Sequence, residues 1–106
     1  MKQMKFQSEP GRFFLEDEQG QLTAEVTYQQ ATGKDLYVID HTFVDPSLRG
    51  QGIASQLVYA VVEKARADHK QIIPLCSYAK MDFERKPEYA DVYYHNPEGD
   101  RLENGH

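Results

Sequence analysis

Between Asp45 and Ala54 the chain reads Asp-Pro-Ser-Leu-Arg-Gly-Gln-Gly-Ile-Ala, leaving a β-branched, aromatic segment and entering one with helical spacing. A turn placed ahead of a helix points main-chain N–H groups at whatever lies above the helix N-terminus, and such a site suits an anion. Gly50 and Gly52 let the backbone approach a phosphate, the helix dipole adds partial positive charge, and Arg49 brings a planar donor fork. A pyrophosphate is the natural ligand. The run lacks the Lys-Ser/Thr of a P-loop, and it lacks the third glycine and downstream acidic residue of a dinucleotide fold. Glycines that merely permit a turn beside a solvated arginine are the plainer alternative.

Two further residues carry reactive groups. Histidine changes charge near neutral pH, so His41 suits general-base work; a strand histidine satisfied by a neighbour is the alternative. Cys76, the single cysteine, excludes an intrachain disulfide and a cysteine-built zinc site. It would act as a nucleophile only with help in forming a thiolate, for which His41 is the candidate; otherwise it is a small buried packing residue. His69, His95 and His106 are scattered without ligand spacing, which gives no metal site.

The elements that must position these groups follow from pattern. Phe13–Leu15 and Leu22–Tyr28, the second with strict alternation of apolar and polar residues, read as a hairpin closed at Glu16–Gly20. Leu36–Val44 reads as a central strand interrupted by two polar residues, Asp40 and His41, and Pro46 ends it. From Gly52 to about Asp68 apolar residues recur at spacings of three and four, the stripe of an amphipathic helix. Ile72–Cys76 is a short apolar run suited to a buried strand parallel to Leu36–Val44, with the helix as crossover. A short helix over Ala79–Arg85, a turn at Pro87-Glu88-Tyr89 and a final strand at Val92–Tyr94 complete the reading. The expected fold is α/β: a mostly antiparallel sheet of about five strands with a splayed parallel pair and one main crossover helix. Residues 1–95 form one domain, and the polar stretch 96–106 is expected to be a disordered tail.

Arg49, Gly52 and Ala54, following a strand that ends Phe43-Val44, resemble motif A of the GNAT superfamily of N-acetyltransferases, Arg/Gln-x-x-Gly-x-Gly/Ala. The likeness extends through His41-Thr42-x-Val44, Leu57-Val58, Ile73-Pro74-x-Cys76-Ser77-Tyr78-Ala79 and Pro87-Glu88-Tyr89 to the small Yjdj-type acetyltransferases, over roughly Phe13 to Val92. The resemblance implies that the amides of Arg49, Gly50, Gln51, Gly52, Ile53 and Ala54 hold the pyrophosphate of acetyl-CoA, the cosubstrate. It implies that the main chains of Phe43 and Val44 bind the pantetheine arm, that Cys76 lies at the site, and that Tyr78 gives a proton to the departing thiolate. Tyr89 competes with Tyr78 for that role. The helices that wall in the acceptor in typical members have no room between Phe13 and Val26, so an open acceptor side is expected, accessible to a small amine or to a protein or peptide amine.

Composition sets the outer limits. The 106 residues suit one domain, and 40% apolar with 27% charged residues is ordinary for a globular chain. Twelve basic against 17 acidic residues, a net charge of −5, is the wrong sign for a protein that grips nucleic acid, while it favours a cationic partner such as an amine. No run of apolar residues is long enough for a membrane span or a signal peptide, and with a lone cysteine the expectation is a cytoplasmic monomer or weak dimer. The chemistry expected is acetyl transfer from the thioester to an amine, by direct attack with His41 as base or through a Cys76 relay. A non-catalytic coenzyme A-binding module and a generic anion-binding domain are the rival readings.

Overall fold

The computed structural model describes residues 5–94, so residues 95 and 96–106 of the expected domain end and tail lie outside it. Five strands, β1 (Gln7–Glu9), β2 (Arg12–Glu16), β3 (Leu22–Gln30), β4 (Leu36–Val44) and β5 (Gln71–Pro74), form one sheet in chain order. β1 to β4 are antiparallel to their neighbours and β5 is parallel to β4, so the expected mixed sheet is present. Helix α1 (Ile53–Ala67) is the crossover, and α2 (Ser77–Arg85) follows β5.

The alternation expected for β3 sets the layers. Ala24, Val26 and Tyr28 are buried against the α1 stripe of Ile53, Leu57, Val58, Val61, Val62 and Ala65, with Ile39, Ile72, Ala79 and Phe83 completing the core. Both helices therefore pack on one face of the sheet. On the other face, Arg12 lies 3.8 Å from the ring centroid of Phe14 and pairs with Glu9 (3.1 Å) and Glu25 (2.7 Å). That clasp ties β1 and β2 to β3. β1, which the sequence reading does not anticipate, has three exposed residues and no apolar alternation to announce it.

Three expected boundaries move. β5 ends at Pro74 rather than Cys76, which is the residue capping α2, and α2 starts at Ser77 so that Tyr78 stands in its first turn rather than in a loop. Val92–Tyr94 is not a strand: it contributes a single bridge, Ile72 to Tyr93, while Val92 fills the core. The five-strand count survives because β1 takes the place of that segment.

The C-terminus of α1 explains how the chain reaches β5. His69 adopts a left-handed conformation (φ 58°), donating its N–H to Arg66 O (3.2 Å) while Lys70 N–H reaches Ala65 O (2.8 Å), which is a Schellman closure. Asp68 accepts from the Tyr37 hydroxyl on β4 and pairs with Lys64 at 3.0 Å, fastening this end of the helix to the sheet. Burial, then the bond to Asp68, pushes the Tyr37 phenol up to about 12.

Glycine is the residue suited to the left-handed position, so His69→Gly is expected to raise stability by about 1 kcal/mol. The measurement is the urea midpoint at unchanged slope; a midpoint that stays or falls contradicts it. A phenol whose folded pKa lies above its unfolded value favours the fold while neutral. Its contribution is complete below about pH 10 and is lost as the pH rises toward the folded value. Tyr37→Phe is therefore expected to lose less stability than the parent over that alkaline interval, and equal losses would contradict the assignment.

Candidate active site

At the end of the parallel pair the two strands separate. Ile39, the last β4 residue in register with β5, opposite Pro74, accepts through its carbonyl from both Leu75 N–H (2.9 Å) and Cys76 N–H (3.1 Å). Two donors on one oxygen turn the β5 chain off the ladder, and β4 runs on for five residues, Asp40–Val44, with no strand paired on that side among the described residues. On its other side β4 carries a bulge: Tyr28 opposes Ile39 and Thr27 opposes His41, which leaves Asp40 as the extra residue. Asp40 accepts from Thr27 Oγ1 and from Gln29 Nε2, the latter at 2.6 Å. Burial acts to raise its pKa, but these two bonds and the nearby His41 hold the carboxyl below its ordinary range.

The free end of β4 feeds the glycine turn. Asp45 donates its N–H to Thr23 O (2.8 Å), and its carboxylate accepts from Ser47 N–H (2.9 Å) and Ser47 Oγ (2.7 Å), which pulls its pKa down and starts the 3₁₀ turn Pro46–Leu48. Arg49 returns to the strand, its Nε 3.2 Å from Val44 O. Gly52 caps α1 in the left-handed region (φ 76°) and Gly50 shares that conformation (φ 84°). A Cβ at either glycine would meet nothing within 4 Å, so the dihedral angles rather than space demand glycine here. The amides of Ile53, Ala54 and Ser55 have no i−4 carbonyl within the helix and present their N–H groups beyond its end.

Strand end, turn and α2 enclose a cleft of about 510 Å³ lined by Thr42, Phe43, Val44, Arg49, Gly50, Gly52, Ile53, Ala54 and Tyr78, with Leu48. Most of the residues singled out from sequence are thus brought to one place. Gln51 lies just outside, in a neighbouring pocket that shares Gly52. Cys76, half-buried, is not among the lining residues, but its thiol donates at 3.4 Å to Oγ1 of Thr42, which is. His41 is exposed on β4, outside the cleft lining, and makes no hydrogen bond with Cys76 among the described residues. Tyr89 is buried against Tyr59 and Phe83 and does not line the cleft. No group of three or more potential metal ligands occurs among the described residues.

The sequence reading missed Ser55 and Asp82. Ser55 Oγ lies 2.6 Å from Tyr78 Oη and donates to Asp82 Oδ1 at 3.4 Å. Asp82 is fully buried, and its carboxylate meets Arg85 (3.0 Å) and Lys86 (3.5 Å). An aspartate followed at i+3 and i+4 by cations reads as a solvated helix face; only the apolar neighbours Ala79 and Phe83 hint that this face turns inward.

Gly52→Ala is expected to cost about 1 kcal/mol through its dihedral alone, with Gly52→Asn costing less, since asparagine tolerates the left-handed region. Urea unfolding checks the order of the three proteins; an unchanged alanine variant contradicts it.

Comparison with known proteins agrees with this geometry. The model of the GCN5-related N-acetyl-transferase family matches residues 12–92. The solution structure of a GCN5-like N-acetyltransferase from Staphylococcus aureus is 35% identical over 91% of this chain and 93% of its own, with a TM-score of 0.72. The N-acetyltransferase YhbS from Escherichia coli, solved with CoA, is 25% identical over 60% of this chain and 38% of its own, with a TM-score of 0.52. N-Acetylglutamate synthase from Neisseria gonorrhoeae, 20% identical over 71% of this chain and 18% of its own, shares the fold at a TM-score of 0.58. No helix among the described residues is long and apolar enough to cross a membrane. The chain belongs to the GCN5-related N-acetyltransferase family, whose members are acyltransferases of the acetyl-CoA-dependent type.

Proposed function

We propose that this chain, a member of the small Yjdj-type group, passes the acetyl group of acetyl-CoA to an amine by direct attack. The observation that carries this reading is that Tyr78 lines the same cleft as the end of β4, Thr42–Val44, and the residues Arg49, Gly50, Gly52, Ile53 and Ala54 of the turn. The turn amides and Arg49 hold the pyrophosphate, and the main chain of Phe43 and Val44 runs beside the pantetheine arm. The thioester then lies between Thr42 and Tyr78. The amine nitrogen attacks the carbonyl carbon, the C–S bond breaks, and the sulfur takes the Tyr78 proton. Ser55 has one proton and two neighbouring acceptors, Tyr78 and Asp82, so its hydroxyl can turn from the carboxylate to the phenolate as that charge forms.

The amine approaches from the sheet face that carries no helix, where Asp40 and His41 stand at the bulge. His41 takes the proton that the amine loses, and the depressed Asp40 carboxyl keeps a negative charge beside it. That face suits a cation in a chain of net charge −5, and without a covering helix it admits a peptide amine as well as a small one. A relay through Cys76 needs a base at its thiol, and the thiol's partner is the Thr42 hydroxyl.

A panel of amine and peptide acceptors, followed by thiol release from acetyl-CoA, tests the reading. Turnover with at least one acceptor is expected. Tyr78→Phe is expected to lower kcat by about 100-fold with KM little changed, Ser55→Ala by about 10-fold, and Cys76→Ala to leave it unaltered. Lost turnover in Cys76→Ala beside a normal Tyr78→Phe enzyme would replace direct attack with the relay. Binding of acetyl-CoA without thiol release for any acceptor would make the chain a binding module instead.

A further inference from the structure

An apolar row runs along β4 and β5 on the sheet face that carries no helix, and it ends beside the bulge. Tyr37, Ile39 and Ile72 belong to the core and Pro74 is buried with them, so the residues between, Val38 and Ile73, face the other way. These two are opposite one another in register, and both are half-buried. Leu75 is the next residue of the alternation. Its N–H keeps the ladder bond to Ile39 O at 2.9 Å, and its side chain is 67% exposed, more than any other large apolar residue among the described residues. A single exposed leucine is ordinary, but this one continues the row of Val38 and Ile73.

The row leads to the two polar residues that stand at the acceptor side. Ile39 is in register with Pro74, which sets Leu75 level with Asp40. Gln29, opposite Val38, donates to the Asp40 carboxylate and draws it over this face, and His41 is opposite Thr27, the carboxylate's other donor. Arg12, beyond Thr27 in the same row, is taken up by Glu9, Glu25 and the Phe14 ring, and no lysine or arginine pairs with Asp40 among the described residues. An amine drawn to Asp40 and His41 therefore has hydrocarbon beside it. An apolar substituent gains by lying along Leu75, Ile73 and Val38, whereas a second charge placed there exchanges water for alkyl groups.

Resting on the reading that the amine enters on this face, we propose that the acceptor is a primary amine carried on an apolar group, which Leu75, Ile73 and Val38 receive while Asp40 and His41 hold the nitrogen. Thiol release from acetyl-CoA by the full chain, with straight-chain alkylamines from ethylamine to hexylamine and with the diamines of the same lengths, tests it. The kcat/KM of the alkylamines is expected to rise about 3-fold for each added methylene, and hexylamine to exceed its diamine about 10-fold. Leu75→Ser and Ile73→Thr are each expected to flatten the rise to about 1.5-fold per methylene with the KM for acetyl-CoA unchanged, while Leu75→Met keeps it. Circular dichroism melting confirms that the variants fold. A flat series, a preference for the diamines, or a slope that survives both Leu75→Ser and Ile73→Thr would overturn the apolar subsite alone. So would turnover of another acceptor by a protein that leaves every alkylamine untouched. Failure to release thiol with any acceptor at all would overturn the functional reading and the subsite with it.

Discussion

The Ile39 carbonyl decides where the sheet stops being a ladder. A backbone oxygen has two lone pairs, and here both Leu75 N–H and Cys76 N–H reach it, at 2.9 and 3.1 Å. A regular parallel ladder would spend one donor there and move on. The doubled contact instead turns the chain out of the sheet directly after Pro74, which has no N–H to offer further along. Beyond it β4 keeps β3 on one side, and its last three residues, Thr42, Phe43 and Val44, line the cleft. A main-chain edge at a parting of strands is a site that no single side chain creates, and every other part of the site is arranged around it.

Position along the chain then follows from packing. The α1 stripe buries against β3 and β4, and its C-terminal end is fastened through Asp68 to Tyr37, so the N-terminal end is delivered to the mouth of the parting. The Asp45 carboxylate, saturated by Ser47, fixes the turn between the two. α2 closes the far side, and Asp82 inside it holds Ser55 on α1, bridging the two helices beneath the Tyr78 hydroxyl. The helix N-terminus, the strand edge and the phenol thus come from three elements locked into one core, which fixes their relative positions before any ligand arrives.

Much of this was legible in the residues because it rests on local pattern. The alternation of β3 and the three-and-four spacing of α1 reflect burial on one face, and the glycines at 50 and 52 reflect dihedral angles that few other residues adopt. What escaped rests on long-range geometry. β1 pairs through its backbone and carries no apolar signature. Cys76 and Tyr78 shift from strand and loop to helix start because the turn at Ile39 O ends β5 early, and apolar content alone does not mark that point. Asp82 looks like a surface charge until the fold buries it. Asp40 and His41 were visible as interruptions in a strand, but that Asp40 is the extra residue of a bulge depends on β3 across from it.

The proposed seat of acetyl-CoA is the cleft between the β4 edge and the glycine turn. Backbone amide shifts of isotopically labelled protein, followed by NMR during titration with acetyl-CoA, test it most directly. Saturable shifts are expected at Thr42–Val44, Gly50–Ala54 and Tyr78, with the hairpin turn around Asp17–Gln21 unmoved. Shifts centred anywhere else, or none at millimolar acetyl-CoA, would contradict it.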